Sequence, residues 1–176
     1  MRIFVAVWPD DLTVRRLSAL DLGSVPGLRA VHPGQWHVTL RFLGEVEDDL
    51  LPDLVDALGS AATRVRAPVR CNIGPATAWF GGTRVLQIPA TGLDGVAEAV
   101  RQATIRTIPD AGEAPFVGHL TVARVRGRRL DQSARAAVAG VAFTAEFAVP
   151  RFLLVASALS PTGPRYTTLA HLSLPT

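Results

Sequence analysis

His37-Val38-Thr39-Leu40 and His119-Leu120-Thr121-Val122 write one pattern twice, about half a chain apart. Each copy sets a His and a Thr two positions apart inside an apolar run. Side chains alternate across a β-strand, so each His shares a face with its Thr, while Val38, Leu40, Leu120 and Val122 share the other. Such a strand has a polar front and an apolar back. Two of them facing one another gather two imidazoles and two hydroxyls around one small pocket.

The surrounding sequence can build a frame for that pocket. The chain has 176 residues, 48% of them hydrophobic and 19% charged, enough apolar surface for one domain or two small lobes sharing a core. Cys71 is alone, so no internal disulfide forms, which favours a reducing compartment. The apolar run at Ile3–Trp8 stops at Pro9, too short for a signal peptide, and no stretch approaches the roughly 20 apolar residues of a membrane span. A cytoplasmic, monomeric protein is the expectation. The formal charge is +3, and all 18 basic residues are Arg.

Periodicity gives a mixed order of elements. Arg2–Trp8 reads as a buried strand. Asp10-Asp11 caps a helix with Leu12, Val14, Leu17 and Leu20 inward, and Trp36–Leu43 is the first motif strand. A helix over Asp48–Ala62 follows, then strands at Pro68–Ala78 and Thr83–Pro89 joined by a Gly81-Gly82 hairpin turn, and a helix over Asp94–Thr107. Pro109–Pro115 is a loop, and the second motif strand spans Phe116–Arg126. A short helix covers Asp131–Ala139. The strands Phe143–Ser157, with a break at Pro150, and Arg165–Leu174 close the chain around the turn Ser160-Pro161-Thr162-Gly163-Pro164. Helices mixed with hairpins predict an α+β fold with largely antiparallel sheets. No Gly-rich nucleotide loop follows a strand.

Two imidazoles in one cleft suit displacement at phosphorus. The unperturbed pKa of about 6.5 lets one act as base and the other as acid. Each Thr hydroxyl can hydrogen-bond a phosphate oxygen, and the scheme calls for no metal or cofactor. The bland reading of a single H-x-T is a half-buried His beside a β-favouring Thr; two copies in apolar strands half a chain apart favour function. His32 reads as surface and His171 as structural. On an unbroken strand Arg41 shares the face of His37 and Thr39, a phosphate-contacting position, while Arg124 faces away from His119. Arg126, Arg128 and Arg129 could track a nucleic-acid backbone or cover a solvated hairpin end. Trp36, Trp79, Phe80 and Tyr166 are candidates to stack on a base.

Over nearly its whole length the sequence resembles the 2H phosphoesterase superfamily, and within it the RNA 2′,3′-cyclic phosphodiesterase family, also called 2′-5′ RNA ligases. The resemblance lies in Met1–Val7, in Trp36–Val46 with its HVTLRFLGEV, in Phe116–Arg124, and in the tail with Ser157, Leu159, Gly163 and Tyr166. It implies a LigT-like bilobal α+β domain spanning 1–176, two pseudo-symmetric sheets around a cleft with one motif from each lobe. It implies hydrolysis of RNA 2′,3′-cyclic phosphate ends to 2′-phosphomonoesters, with reversible 2′-5′ ligation permitted. By the same resemblance His37 is the proton donor and His119 the proton acceptor, and Thr39 and Thr121 hold the phosphate; Arg124, which follows the second motif, is a further phosphate-binding candidate. The sequence departs from the family at Gly118, where Pro is usual. Glycine's freedom there predicts a slightly less fixed His119. The rival readings are a 2H enzyme for a small cyclic nucleotide or a 2′-5′ oligonucleotide, and a non-catalytic RNA-binding module.

Overall fold

The computed structural model describes every residue except 110, 112, 113, 161, 162 and 176. The centre of the Ser160–Pro164 turn and part of the Pro109–Pro115 loop therefore lie outside the described residues. Among the described residues the strands are β1 (Arg2–Val7), β2 (Leu28–Ala30), β3 (Val38–Glu45), β4 (Arg70–Ile73), β5 (Ala78–Phe80), β6 (Val85–Thr91), β7 (His119–Val125), β8 (Ala145–Ala148), β9 (Arg151–Ser160) and β10 (Gly163–Ser173). The helices are α1 (Asp11–Ser18), α2 (Leu51–Ala62), α3 (Asp94–Thr104) and α4 (Gln132–Val138).

The expected α+β architecture is present. The strands form a curled, antiparallel sheet in the order β10-β9-β1-β3-β7-β6-β4-β8, with β2 on β7 and β5 on β6. The two motif strands are neighbours at its centre, yet β3 and β7 register through one residue pair, Val38 with Leu120. The sheet thus divides into two halves that touch where the two motifs meet. Continuing the antiparallel register one step each way sets His37 opposite Thr121 and Thr39 opposite His119.

The apolar backs do what alternation demands. Val38, Leu40, Leu120 and Val122 lie in the main core with Leu54, Leu58, Val96 and Val100 of α2 and α3. Those two helices pack on one another, with α2 also against β10 and α3 against β3. Fully burying one such aliphatic side chain is worth roughly 1.5–3 kcal/mol, so the core pins the motif strands from behind. The opposite face carries a smaller cluster, Phe4, Ala6 and Val155, with Trp8, Leu153 and Tyr166 packed on it.

Helix ends follow their sequence signals. The Asp10 carboxylate accepts from the Thr13 amide at 2.8 Å, and Asp131 from the Ala134 amide at 2.8 Å. Two expectations shift. Helix α1 buries Thr13 and Leu17 rather than Leu12, which is exposed. The stretch Pro68–Ala78 is two strands, β4 and β5, separated at Gly74-Pro75 because proline cannot donate to a ladder. The break foreseen at Pro150 falls between β8 and β9. No helix among the described residues is long and apolar enough to cross a membrane.

Candidate active site

Each motif strand carries a register irregularity just beyond its Thr. Along β1 and β3, Ala6 pairs with Thr39 but Val5 with Arg41, so Leu40 is an extra residue. Along β6 and β7, Gln87 pairs with Thr121 but Leu86 with Ala123, so Val122 is extra. A β-bulge of this kind shifts every later side chain to the opposite face. The shift exchanges the two arginines read from unbroken alternation.

Arg41 turns into the core and is buried. Its guanidinium donates to the Arg101 carbonyl at 2.8 Å and the Ala111 carbonyl at 2.7 Å, closing the end of α3. The expectation that Arg41 contacts phosphate from the His37 face does not fit this position, and the bulge at Leu40 is the reason. Arg124 moves the other way. The bulge at Val122 brings it to the face of His119 and Thr121, where it lines a cleft of about 270 Å³ with His37, Thr121 and Tyr166. Arg41→Ala is expected to lower unfolding free energy by about 2–3 kcal/mol, because buried carbonyls lose a charged donor. Arg124→Ala should shift it by under about 0.5 kcal/mol, being exposed. Urea melts of the two variants check this.

The imidazoles are held alike and surrounded differently. Each ring is bonded through Nδ1 to the carbonyl two residues before it: His37 to Gln35 at 2.6 Å, His119 to Val117 at 2.9 Å. With that nitrogen donating, Nε2 of the neutral ring is left with its lone pair. His37 sits in an aromatic box: Trp8 is stacked at 5.1 Å, Phe4 tilted at 5.1 Å and Tyr166 edge-on at 5.3 Å. His119 has one aromatic partner, Phe80, stacked at 3.9 Å and 21°.

These surroundings set the charge. Burial against the rings pulls the His37 pKa down to about 4; the Gln35 carbonyl opposes this, and the positive charges of Arg124 and His119 add to it. In the empty site His37 is therefore neutral at pH 7. Burial raises the Tyr166 pKa, so its phenol stays protonated and able to donate. Thr39 and Thr121 are half-buried, and neither hydroxyl bonds another described residue.

The aromatic candidates divide. Tyr166 is in the cleft and Phe80 is at His119. Trp36 is a correction: alternation puts it on the opposite face from His37, buried in the core. Trp79 likewise turns from His119, packing on the core and donating from its indole to the Arg135 carbonyl at 3.2 Å. The sequence reading missed Phe4, Trp8 and Gln35. The signal was available in the opening run, where Phe4, Ala6 and Trp8 alternate on one face. The Gln35 side chain also ties the site together, donating to the Pro164 carbonyl at 2.7 Å. A larger cleft, about 430 Å³, lies on Arg16, Gly74 and Glu146 and holds no motif residue. Among the described residues no three His, Cys, Asp or Glu side chains are grouped to hold a metal ion.

Known proteins resemble this chain in sequence and fold. Residues 13–72, which include the first motif, match the family model described as LigT like Phosphoesterase. The chain is 35% identical to an RNA 2′,3′-cyclic phosphodiesterase of Thermus thermophilus, over 99% of this chain and 90% of the relative. It superposes on the crystal structure of TT0787 of Thermus thermophilus with a TM-score of 0.84 and 32% identity, covering 99% of this chain and 98% of the other. The E. coli LigT structure complexed with 3′-AMP has the same fold, with a TM-score of 0.75 at 24% identity and coverage of 99% and 98%.

Proposed function

Since this chain belongs to the RNA 2′,3′-cyclic phosphodiesterase family of LigT-like phosphoesterases and is a cyclic phosphodiesterase, we propose that it opens 2′,3′-cyclic phosphate ends of RNA to 2′-phosphomonoesters, with His37 and His119 as its acid and base. The observation that carries this is the single-residue junction of β3 and β7, which turns both His and both Thr to one face. In this reading the chain 1–176 is one bilobal unit, each half giving one H-x-T strand. The enzyme works as a cytoplasmic monomer whose partner is an RNA end.

Water attacks phosphorus, and His119 Nε2 takes its proton. The bond from phosphorus to the 3′ oxygen breaks, and His37 Nε2 supplies the proton that oxygen needs. One P–O bond forms and one breaks, leaving the phosphate on the 2′ oxygen. Thr39 and Thr121 donate to the non-bridging oxygens, and Arg124 balances the charge that gathers there; such charge-assisted bonds are worth roughly 1.5–3 kcal/mol each. His37 must be protonated to serve as donor, and in the empty site it is neutral. The cyclic phosphate supplies the remedy: its negative charge offsets Arg124 and favours the imidazolium, so the proton is taken up as substrate binds. Ligation runs the same steps in the same direction with a 5′-hydroxyl of RNA in the place of water, forming a 2′-5′ linkage as the bond to the 3′ oxygen breaks.

Incubating an oligonucleotide carrying a 2′,3′-cyclic end with enzyme in chelator, then resolving the 2′- from the 3′-monophosphate, tests the reading. The expected product is the 2′-monoester, at a rate the chelator does not change. A 3′-monoester would reverse the leaving group, and loss of rate in chelator would remove the two-histidine scheme.

A further inference from the structure

Three arginines stand along one wall of the cleft: Arg29, Arg124 and Arg126. Strand β2 is only three residues long, and its ladder to β7 pairs Leu28 with Val125, Arg29 with Arg124 and Ala30 with Ala123. Directly paired residues of an antiparallel ladder share a face, so two guanidiniums stand side by side, an arrangement that destabilises a sheet when nothing offsets it. Arg126 follows on the same face, with buried Val125 between it and Arg124.

Nothing in the described protein neutralises this wall. Four arginines elsewhere are engaged, Arg70 with Glu146, Arg101 with Glu98, Arg84 with the Gly127 carbonyl and Arg41 with two carbonyls, while others stand singly on the surface. Among the described residues Arg29, Arg124 and Arg126 have no ion pair and no side-chain hydrogen bond. Among the described residues no Asp or Glu lines the cleft. Unpaired like charge in a concavity raises the local concentration of anions.

The reacting phosphate accounts for one of the three. It is Arg124 whose charge reaches His37. The cleft, about 270 Å³, lies just under the roughly 300–1,000 Å³ typical of small-molecule sites, so one nucleotide fills it and a longer strand leaves over its rim. Two residues of β-strand advance ~6.6 Å, a step comparable with the separation of consecutive phosphates in a single strand. We propose that Arg29 and Arg126 form a subsite for the phosphate that precedes the cyclic end, so that the enzyme prefers oligonucleotide ends to cyclic mononucleotides. The proposal deepens, and rests on, the cyclic phosphodiesterase reading of the same cleft.

Two measurements separate the subsite from that reading. The first compares kcat/KM for a 2′,3′-cyclic mononucleotide with that for a trinucleotide bearing the same cyclic end, in wild type and in the double variant Arg29→Ala/Arg126→Ala. Wild type should favour the trinucleotide by ~10-fold or more, and the double variant should lose most of that ratio. The salt dependence of its trinucleotide KM should weaken by about one counterion per arginine removed. The second measures binding, without turnover, of a 3′-phosphorylated mononucleotide and the matching trinucleotide. There the trinucleotide should again bind more tightly, and the double variant should abolish the difference. A wild type that shows no preference in binding, or a double variant that keeps it, overturns the subsite. A wild type that binds both ligands but hydrolyses no cyclic end overturns the enzyme reading and leaves the binding comparison to decide the subsite.

Discussion

Replacing either motif histidine with alanine is expected to lower kcat on a 2′,3′-cyclic phosphate by ~10²–10⁴-fold, the usual worth of a positioned proton transfer. His119 makes no contact that a buried core needs: its ring bonds the Val117 carbonyl and stacks on Phe80. His37 is more embedded, and its loss leaves a gap between Phe4, Trp8 and Tyr166, so His37→Gln is the companion variant that keeps volume. Thermal melts confirm folding before rates are compared. Near wild-type turnover in either position would remove the paired acid–base scheme.

The division of roles has its own readout. A phosphodiester with a p-nitrophenolate leaving group needs no proton on departure. His37→Ala should therefore recover much of its deficit on such a diester, while His119→Ala should not. The pH dependence gives the sign independently. In the free enzyme His37 titrates at about 4, so a donor there is progressively lost as pH rises above 4. With His119 removed, residual kcat/KM should fall with rising pH; a rise instead would make His37 the acceptor. In kcat the same limb should move to higher pH, because bound phosphate faces the ring. Stability carries the opposite slope. His37 binds its proton less readily folded than unfolded, so acidification from the unfolded value of about 6.5 down to 4 removes stability, by at most roughly 3 kcal/mol. His37→Gln should flatten that part of the acid melt.

The second large effect is at Gly118. A Cβ there would run into the Ala90 carbonyl oxygen and lie 3.1 Å from the tip of the Phe116 ring. The same residue is stitched to it, since the Ala90 amide donates to the Gly118 carbonyl at 2.9 Å. Gly118→Ala must push β6 away from β7 immediately before His119. Overpacking of this kind costs about 1–3 kcal/mol, and moving a catalytic group by about 1 Å can cost on the order of 10²-fold in rate. Proline also carries a Cβ, so Gly118→Pro, the usual family residue, should fare no better. A urea melt with kcat measured well below the transition checks both. Wild-type values for Gly118→Pro would show that β6 yields freely. The glycine is thus explained by the close approach of Ala90 rather than by looseness at His119, contrary to the reading from its conformational freedom.

Alternation made much of this protein legible in advance. It gave the polar front and apolar back of His37–Leu40 and His119–Val122, and the main core holds those four apolar residues. It also identified the mixed order of helices and hairpins, because capping residues, Gly-Gly and proline act locally: Asp10, Asp131, Gly81-Gly82 and Pro150 all mark element ends. The same rule failed where a strand gained a residue. Nothing within Leu40-Arg41 or Val122-Ala123 announces a bulge, because a bulge is settled by which partner residue each one meets across the sheet. Those two extra residues sent Arg41 to the end of α3 and Arg124 into the cleft. Trp36, by contrast, was misplaced by composition overruling alternation, which already set it behind His37, and Trp79 by its place beside the Gly81-Gly82 turn, since its pairing with Leu86 is set across the sheet.

What the sequence determined by itself is the pair of one-faced strands, each with its His and Thr on the polar side, since that follows from a two-residue period that any strand imposes. What only the tertiary structure decided is the company those side chains keep. The meeting of β3 and β7 at Val38 and Leu120, the aromatic box that makes His37 neutral when empty, the arginine facing Thr121 and the glycine under Ala90 all join residues far apart in the chain. Contacts of that range are set by packing, and no local period records them.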